Sequence, residues 1–165
     1  MNEGDHGDGT WLRKLLDVWP DEIGFQLRQN PSFNIYSAFM ELKWMLDIAI
    51  KKNDVAQIDQ IMAYANWCAN QKARALRNAA GVSFFEDIVT CDRAAWPMLF
   101  ARIDPQVICD VYSLLEWRLS KAPPDQMVEV ERLTRAAREG RKFSRYDPRN
   151  WPQRAIRGTD DFPDD

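Results

Sequence analysis

With 165 residues, 45% hydrophobic and 12% aromatic, the chain can bury a core of its own, which excludes an intrinsically disordered protein. The net charge of −3 conceals an asymmetry: residues 1–131 carry −6, residues 132–157 carry +7 and the last eight carry −4. No run of about 18 uncharged apolar residues offers a membrane span, and the acidic, Gly-rich opening MNEGDHGDGT lacks the basic and apolar regions of an export signal, so a cytoplasmic location is expected.

Helical periodicity dominates and strand patterns are nearly absent. Thr10 is placed to cap a first helix over 11–19, which Pro20 ends. A second helix is predicted over 21–29 despite Gly24, and Asn30-Pro31 breaks the chain. Ser32 then opens the most apolar stretch, 33–52, where Ile35, Tyr36, Phe39, Met40, Leu42, Trp44, Met45, Leu46, Ile48 and Ile50 leave only a thin polar stripe of Ser37, Glu41 and Asp47. A helix apolar on most sides is expected at the centre of a bundle. Asp47 and Lys51 are spaced as a favourable i, i+4 ion pair.

Asn53 or Asp54 caps the next helix, with Val55, Ile58, Met62, Ala65 and Cys68 or Ala69 on its apolar face. Ala73, Leu76, Ala80, Phe84 and Ile88 extend a similar stripe through Gly81, where a bend or a restart is equally compatible with the pattern. Asp92 is placed to cap a short helix reaching Ala101, with Trp96-Pro97 in its first turns. Asp104-Pro105 is the clearest start signal in the chain, and the helix it opens runs to about Ser120 with a core face of Ile108, Val111, Tyr112, Leu115 and Leu119. After Pro123-Pro124 a polar helix with the narrow stripe Met127, Val130, Leu133 and Ala137 runs to Glu139, ended by Gly140. The expected fold is all-α, an irregular bundle of about six or seven helices. It comprises one helical domain over 10–139, between a disordered terminus at 1–9 and a non-periodic Arg/aromatic segment at 140–165 that could pack on the body.

The residue types that carry catalysis are scarce. The single histidine, His6, lies in the Gly/Asp-rich terminus, which removes the Ser–His, Cys–His and His-based acid/base schemes. Cys68, Cys91 and Cys109 are odd in number and widely spaced, which fits small buried residues better than a disulfide framework or a metal cluster. GxxxxGK[ST], GxGxxG and EF-hand spacings are absent, so no cofactor and no metal ligand is expected. A site built of carboxylates alone stays open, since Glu41, Asp47, Asp59, Glu86, Asp87, Asp110 and Glu116 all fall on predicted helices.

Two surfaces suggest binding. Ser83, Glu86, Asp87 and Thr90 follow helical spacing opposite Phe84, Phe85, Ile88 and Val89, which describes either a solvated face or an acidic contact surface. Asp110, Glu116 and Trp117 form a second polar face with an aromatic anchor. Seven tryptophans are best read as core anchors, with Trp44 or Trp117 as the ones to expect at an interface. The third feature is the basic stretch 132–157. There Arg138, Arg141, Lys142, Arg145, Arg149 and Trp151, with Arg132, Arg135, Arg154, Arg157, Phe143 and Tyr146, combine phosphate-neutralising charge with stacking rings. That composition suits single-stranded nucleic acid, but the favoured reading is a basic strap lying on the acidic body; the isoelectric point of about 5.3 argues against a dedicated nucleic-acid binder.

The run Asn78-Ala-Ala-Gly-Val-Ser-Phe-Phe-Glu-Asp-Ile88, following a helix rich in Ile58, Ile61 and Met62, resembles a group of small bacterial helical domains similar to immunity proteins, over about residues 32–120. The resemblance implies a protein that neutralises a cognate toxin by binding it, and it assigns no individual residues. The expectation is a non-enzymatic protein-binding protein with a protein partner such as a toxin, contacting it through Ser83, Glu86, Asp87, Asp110, Glu116 and Trp117. A nucleic-acid-associated protein and a carboxylate-only enzyme are the alternatives.

Overall fold

The computed structural model describes residues 9–139, and these are all-α: eight α-helices, two 3-10 helices and no strand among them. The expected terminal segments 1–8 and 140–165 lie outside the described residues. The chain gathers into two compact units, the first reaching Phe84 and the second beginning at Phe85.

The first unit holds α1 (Thr10–Val18), α2 (Pro20–Gln29), α3 (Ile35–Lys52), α4 (Val55–Ala69) and α5 (Arg74–Ser83). Thr10 is the first residue of α1 rather than its cap. Gly9 takes the cap position with φ +81°, a left-handed conformation that glycine adopts without a Cβ penalty. Pro20 does end α1, and it also opens α2 as its first residue, where its missing N–H costs nothing. The start of α3 moves from Ser32 to Asn34, whose side-chain oxygen accepts the backbone N–H groups of Tyr36 at 3.0 Å and Ser37 at 3.1 Å. At the other end Asn53 adopts φ +53° and closes the helix. Asp54 caps α4 by accepting the Gln57 N–H at 3.1 Å.

Helices α3, α4 and α5 pack on one another, and α1 packs on α2. Ile35, Phe39, Leu42, Leu46, Ile58, Ile61, Ala65 and Ala79 are buried between them. Burying a side chain such as Phe39 completely contributes about 2–3 kcal/mol. An aromatic chain lines the core: Phe39 lies against Tyr64 and Phe84, and Tyr64 against Trp19 and Trp67. The polar ends of these rings are satisfied, with Trp19 Nε1 donating to Gln57 at 3.1 Å and the Tyr64 hydroxyl donating to the Trp11 carbonyl at 3.0 Å.

Helix α5 runs through Gly81 without interruption and stops three residues later, at Phe84. The second unit begins with a 3-10 helix, Phe85–Thr90, and a shorter one, Arg93–Ala95, capped by Asp92 through the Ala94 N–H at 3.1 Å. Helices α6 (Trp96–Phe100), α7 (Pro105–Arg118) and α8 (Pro124–Glu139) complete it. The first 3-10 helix packs on α6 and α7, and α8 packs on α6 and α7. Arg93 ties the second 3-10 helix to the start of α8, bonding Asp125 at 2.7 Å and Glu129. The core face expected for α7 is all buried, Ile108, Val111, Tyr112, Leu115 and Leu119.

Candidate interaction surface

Helix α7 carries Trp117, the residue read from sequence as an aromatic anchor. Its buried side carries Val107, Ile108, Val111, Tyr112 and Leu115, so Asp110, Ser113, Glu116 and Trp117 fall on the opposite side and are exposed. Trp117 is 66% exposed, and its indole makes no ring contact and donates no hydrogen bond among the described residues. It borders a cleft of about 530 Å³ between the end of α7 and the start of α8, walled by Ser113, Glu116, Leu119, Ser120, Pro124 and Met127. Met127, which the periodicity assigned to the core stripe of α8, is half-exposed on this cleft. Glu116 has no ion-pair partner among the described residues. Burial, followed by the charges of Glu131 and Glu116, raises the Tyr112 hydroxyl above its ordinary range.

The continuous α-helix expected to carry Ser83, Glu86, Asp87 and Thr90 is interrupted after Ser83. Ser83 ends α5 in the first unit, whereas Glu86, Asp87 and Thr90 belong to the 3-10 helix of the second. A 3-10 helix repeats every three residues, so Asp87 and Thr90 share a side and Glu86 falls on another. The cause is local: Phe84 and Phe85 are both fully buried, and Phe84 leaves helical geometry at φ −136° to allow it. Asp87 is already matched by Arg118 at 3.1 Å. Glu86 is half-buried, and burial followed by the charge of Asp87 raises its carboxyl, with Arg118 opposing.

Of the residues read as a nucleic-acid surface, Arg141, Lys142, Arg145, Arg149 and Trp151 lie outside the described residues. Arg138 lies within them and is only 1% exposed, its Nη1 donating to Cys109 Sγ at 2.8 Å. Its side chain is therefore part of the packing between α7 and α8. Thr134, one turn earlier, is buried beside the expected stripe. An arginine on a polar helix reads as solvated because sequence period cannot distinguish the long stem that packs from the one that extends.

A second exposed surface lies on the helix expected to be wholly central. On α3, Met40 is 71% and Trp44 60% exposed, while Ala38, Phe39, Leu42, Met45 and Leu46 are buried. Met40, Trp44 and Ile48 repeat at i, i+4, i+8 and form a row of their own, a signal present in the sequence but hidden by the apolar residues on either side. Phe25 on α2 is 52% exposed. Trp44 borders a smaller groove of about 220 Å³ together with Glu22, Met45, Ile48, Lys52 and Asp54. Among the described residues no three His, Cys, Asp or Glu side chains converge as a metal-binding group.

The chain was compared with known proteins. No curated protein and no solved structure matches it. Residues 12–114 match the model of a family described as a domain of unknown function, DUF7674, a match that begins in α1, runs through both units and ends inside α7. More than half of the chain lies within that match, and the protein belongs to the DUF7674 family.

Proposed function

We propose that the protein is a non-enzymatic binding protein that docks a protein partner on the α7–α8 cleft, with Trp117 as the anchor. The observation that carries this reading is the exposure of Trp117 beside a cleft walled by Leu119, Pro124 and Met127 and edged by an unpaired Glu116. Leaving so large a ring in water forfeits about 2–3 kcal/mol of burial, and exposed tryptophans of this kind are the residues that dominate interfaces when truncated. The resemblance of residues 78–88 to immunity-like domains gives the reading its most concrete form: the partner is a toxin, and the chain neutralises it in the cytoplasm by covering its working surface. The family, described only as a domain of unknown function, supplies neither a partner nor a reaction.

The test is the Trp117→Ala variant. The α7 core face does not include Trp117, so the variant should keep the helical circular dichroism and thermal midpoint of the wild type. Partner affinity should fall by roughly 30-fold or more, the loss expected of a central aromatic anchor. Unchanged affinity would remove the cleft from the interface.

A further inference from the structure

We propose that the exposed side of α2 and α3 is a second docking surface, one that accepts a cationic partner segment presenting an arginine or lysine beside an apolar side chain. The surface lies in the first unit and does not depend on the α7–α8 cleft. Its apolar part is Met40 and Trp44, one turn apart on α3, with Phe25 on α2. Its acidic part is Glu22 and Glu41. Glu22 lines the groove that Trp44 borders, where Asp54 and Lys52 balance one another in charge, and it lies three residues, about one turn, before Phe25. Glu41 stands between Met40 and Trp44 in sequence and accepts the Gln26 side-chain N–H at 3.2 Å across the two helices.

Charge decides the kind of partner. Several other acids are matched: Asp87 by Arg118, Asp125 and Glu129 by Arg93, and Asp47 by Lys43 at 3.0 Å, while Asp54 caps α4. Glu22 and Glu41 have no cation in ion-pair contact among the described residues. The Glu41 carboxyl is raised above its usual range by burial first and then by the charge of Glu22, so the two carboxylates are close enough to repel. Glu22 lies in the first turn of α2, where Asp21 already complements the helix dipole. Glu41 is in the interior of α3 and has no such role. Two mutually repelling carboxylates beside an exposed tryptophan destabilise the isolated protein slightly, and an incoming guanidinium or ammonium relieves both the repulsion and the exposure of the ring. A neutral apolar partner would leave the carboxylates desolvated and uncompensated, which is costly.

The experiment uses the full-length, isotope-labelled chain and two helical peptides of leucine and alanine, one carrying arginine and the other glutamate at the same positions. Titration is followed by the indole signal of Trp44, assigned with Trp44→Phe, and by the side-chain amide of Gln26. The arginine peptide should shift both signals saturably and the glutamate peptide should shift neither. The double variant Glu22→Gln, Glu41→Gln, which keeps side-chain size and the acceptor for Gln26, should weaken arginine-peptide binding at least about tenfold. It should fold with a thermal midpoint no lower than wild type. Equal binding of the two peptides, unmoved Trp44 and Gln26 signals, or undiminished binding by the double variant would each overturn the proposal. So would a peptide-free dimer that Trp44→Ala abolishes, since the face would then belong to a second copy.

Discussion

Asn34 and Ser32 stand two residues apart before the longest helix, and only Asn34 serves it. Its Oδ1 accepts two backbone N–H groups of the first turn, while the Ser32 N–H is itself turned to Asn30. Replacing Asn34 with alanine should cost about 1 kcal/mol in a denaturant titration, and Ser32→Ala should cost much less. Both residue types are good caps, so sequence alone places the helix start only within a few positions. The cysteines were more legible. All three are buried as their type and spacing suggested. Burial pushes the Cys68 thiol up to about 12, against the opposing effects of the Tyr64 hydrogen bond and Lys14. At pH 8 the native protein should therefore alkylate at Cys68 about a thousandfold more slowly than a thiol of ordinary acidity, and denaturant should abolish the protection. Rapid native labelling of Cys68, read by peptide mass, would contradict that assignment. The tryptophans divide as residue chemistry allows: Trp19 and Trp96 are buried with their N–H groups bonded to Gln57 and to the Cys91 carbonyl, whereas Trp44 and Trp117 are exposed. Those last two were the pair singled out from sequence, because tryptophan is enriched at interfaces.

At the scale of elements, helix identity was legible wherever one apolar stripe stood alone. Helix α7 is the clear case, with its Asp104-Pro105 start and every residue of the expected core face buried, joined by Pro105, Val107 and Cys109. Where apolar residues crowd, the pattern loses information. In α3 two apolar rows run side by side and only one is buried, which is why periodicity alone does not separate the exposed Met40–Trp44 row from the core row. The stretch after Gly81 fails for a different reason: two adjacent phenylalanines are both buried, a demand that a continuous α-helix with one buried face meets poorly and the turn into a 3-10 helix meets directly. That one change breaks the α-helical spacing expected of Ser83, Glu86 and Asp87. Helix α3 also carries a testable electrostatic property. The folded protein holds a proton on Glu41 more tightly than the unfolded chain does, so the contribution of this group favours the fold at acid pH and is lost as pH rises through its raised folded value. Glu41→Gln should therefore be more stable than wild type at pH 7, by a few tenths of a kcal/mol after allowing for solvent screening. The gap should close as the pH is lowered through the carboxylate range. A gap that is constant with pH would show that Glu41 does not titrate differently in the folded state.

For the whole molecule, the all-α class followed from composition and period, while the division into two units at Phe84 and Phe85 left no mark in composition. No linker rich in glycine, serine or proline separates the units, and the stripe from Ala73 to Ile88 runs across the boundary. Among the described residues no helix is long and apolar enough to cross a membrane. The family match ends at residue 114, so Trp117 and every residue of the cleft wall except Ser113 lie beyond it. The most direct test is a quantitative pull-down from native lysate with tagged wild-type and Trp117→Ala chains, each with and without nuclease. The account predicts a stoichiometric, nuclease-resistant protein recovered by the wild type and lost with the variant. Recovery of the same protein at the same level by Trp117→Ala, or of proteins that vanish on nuclease treatment, would contradict it.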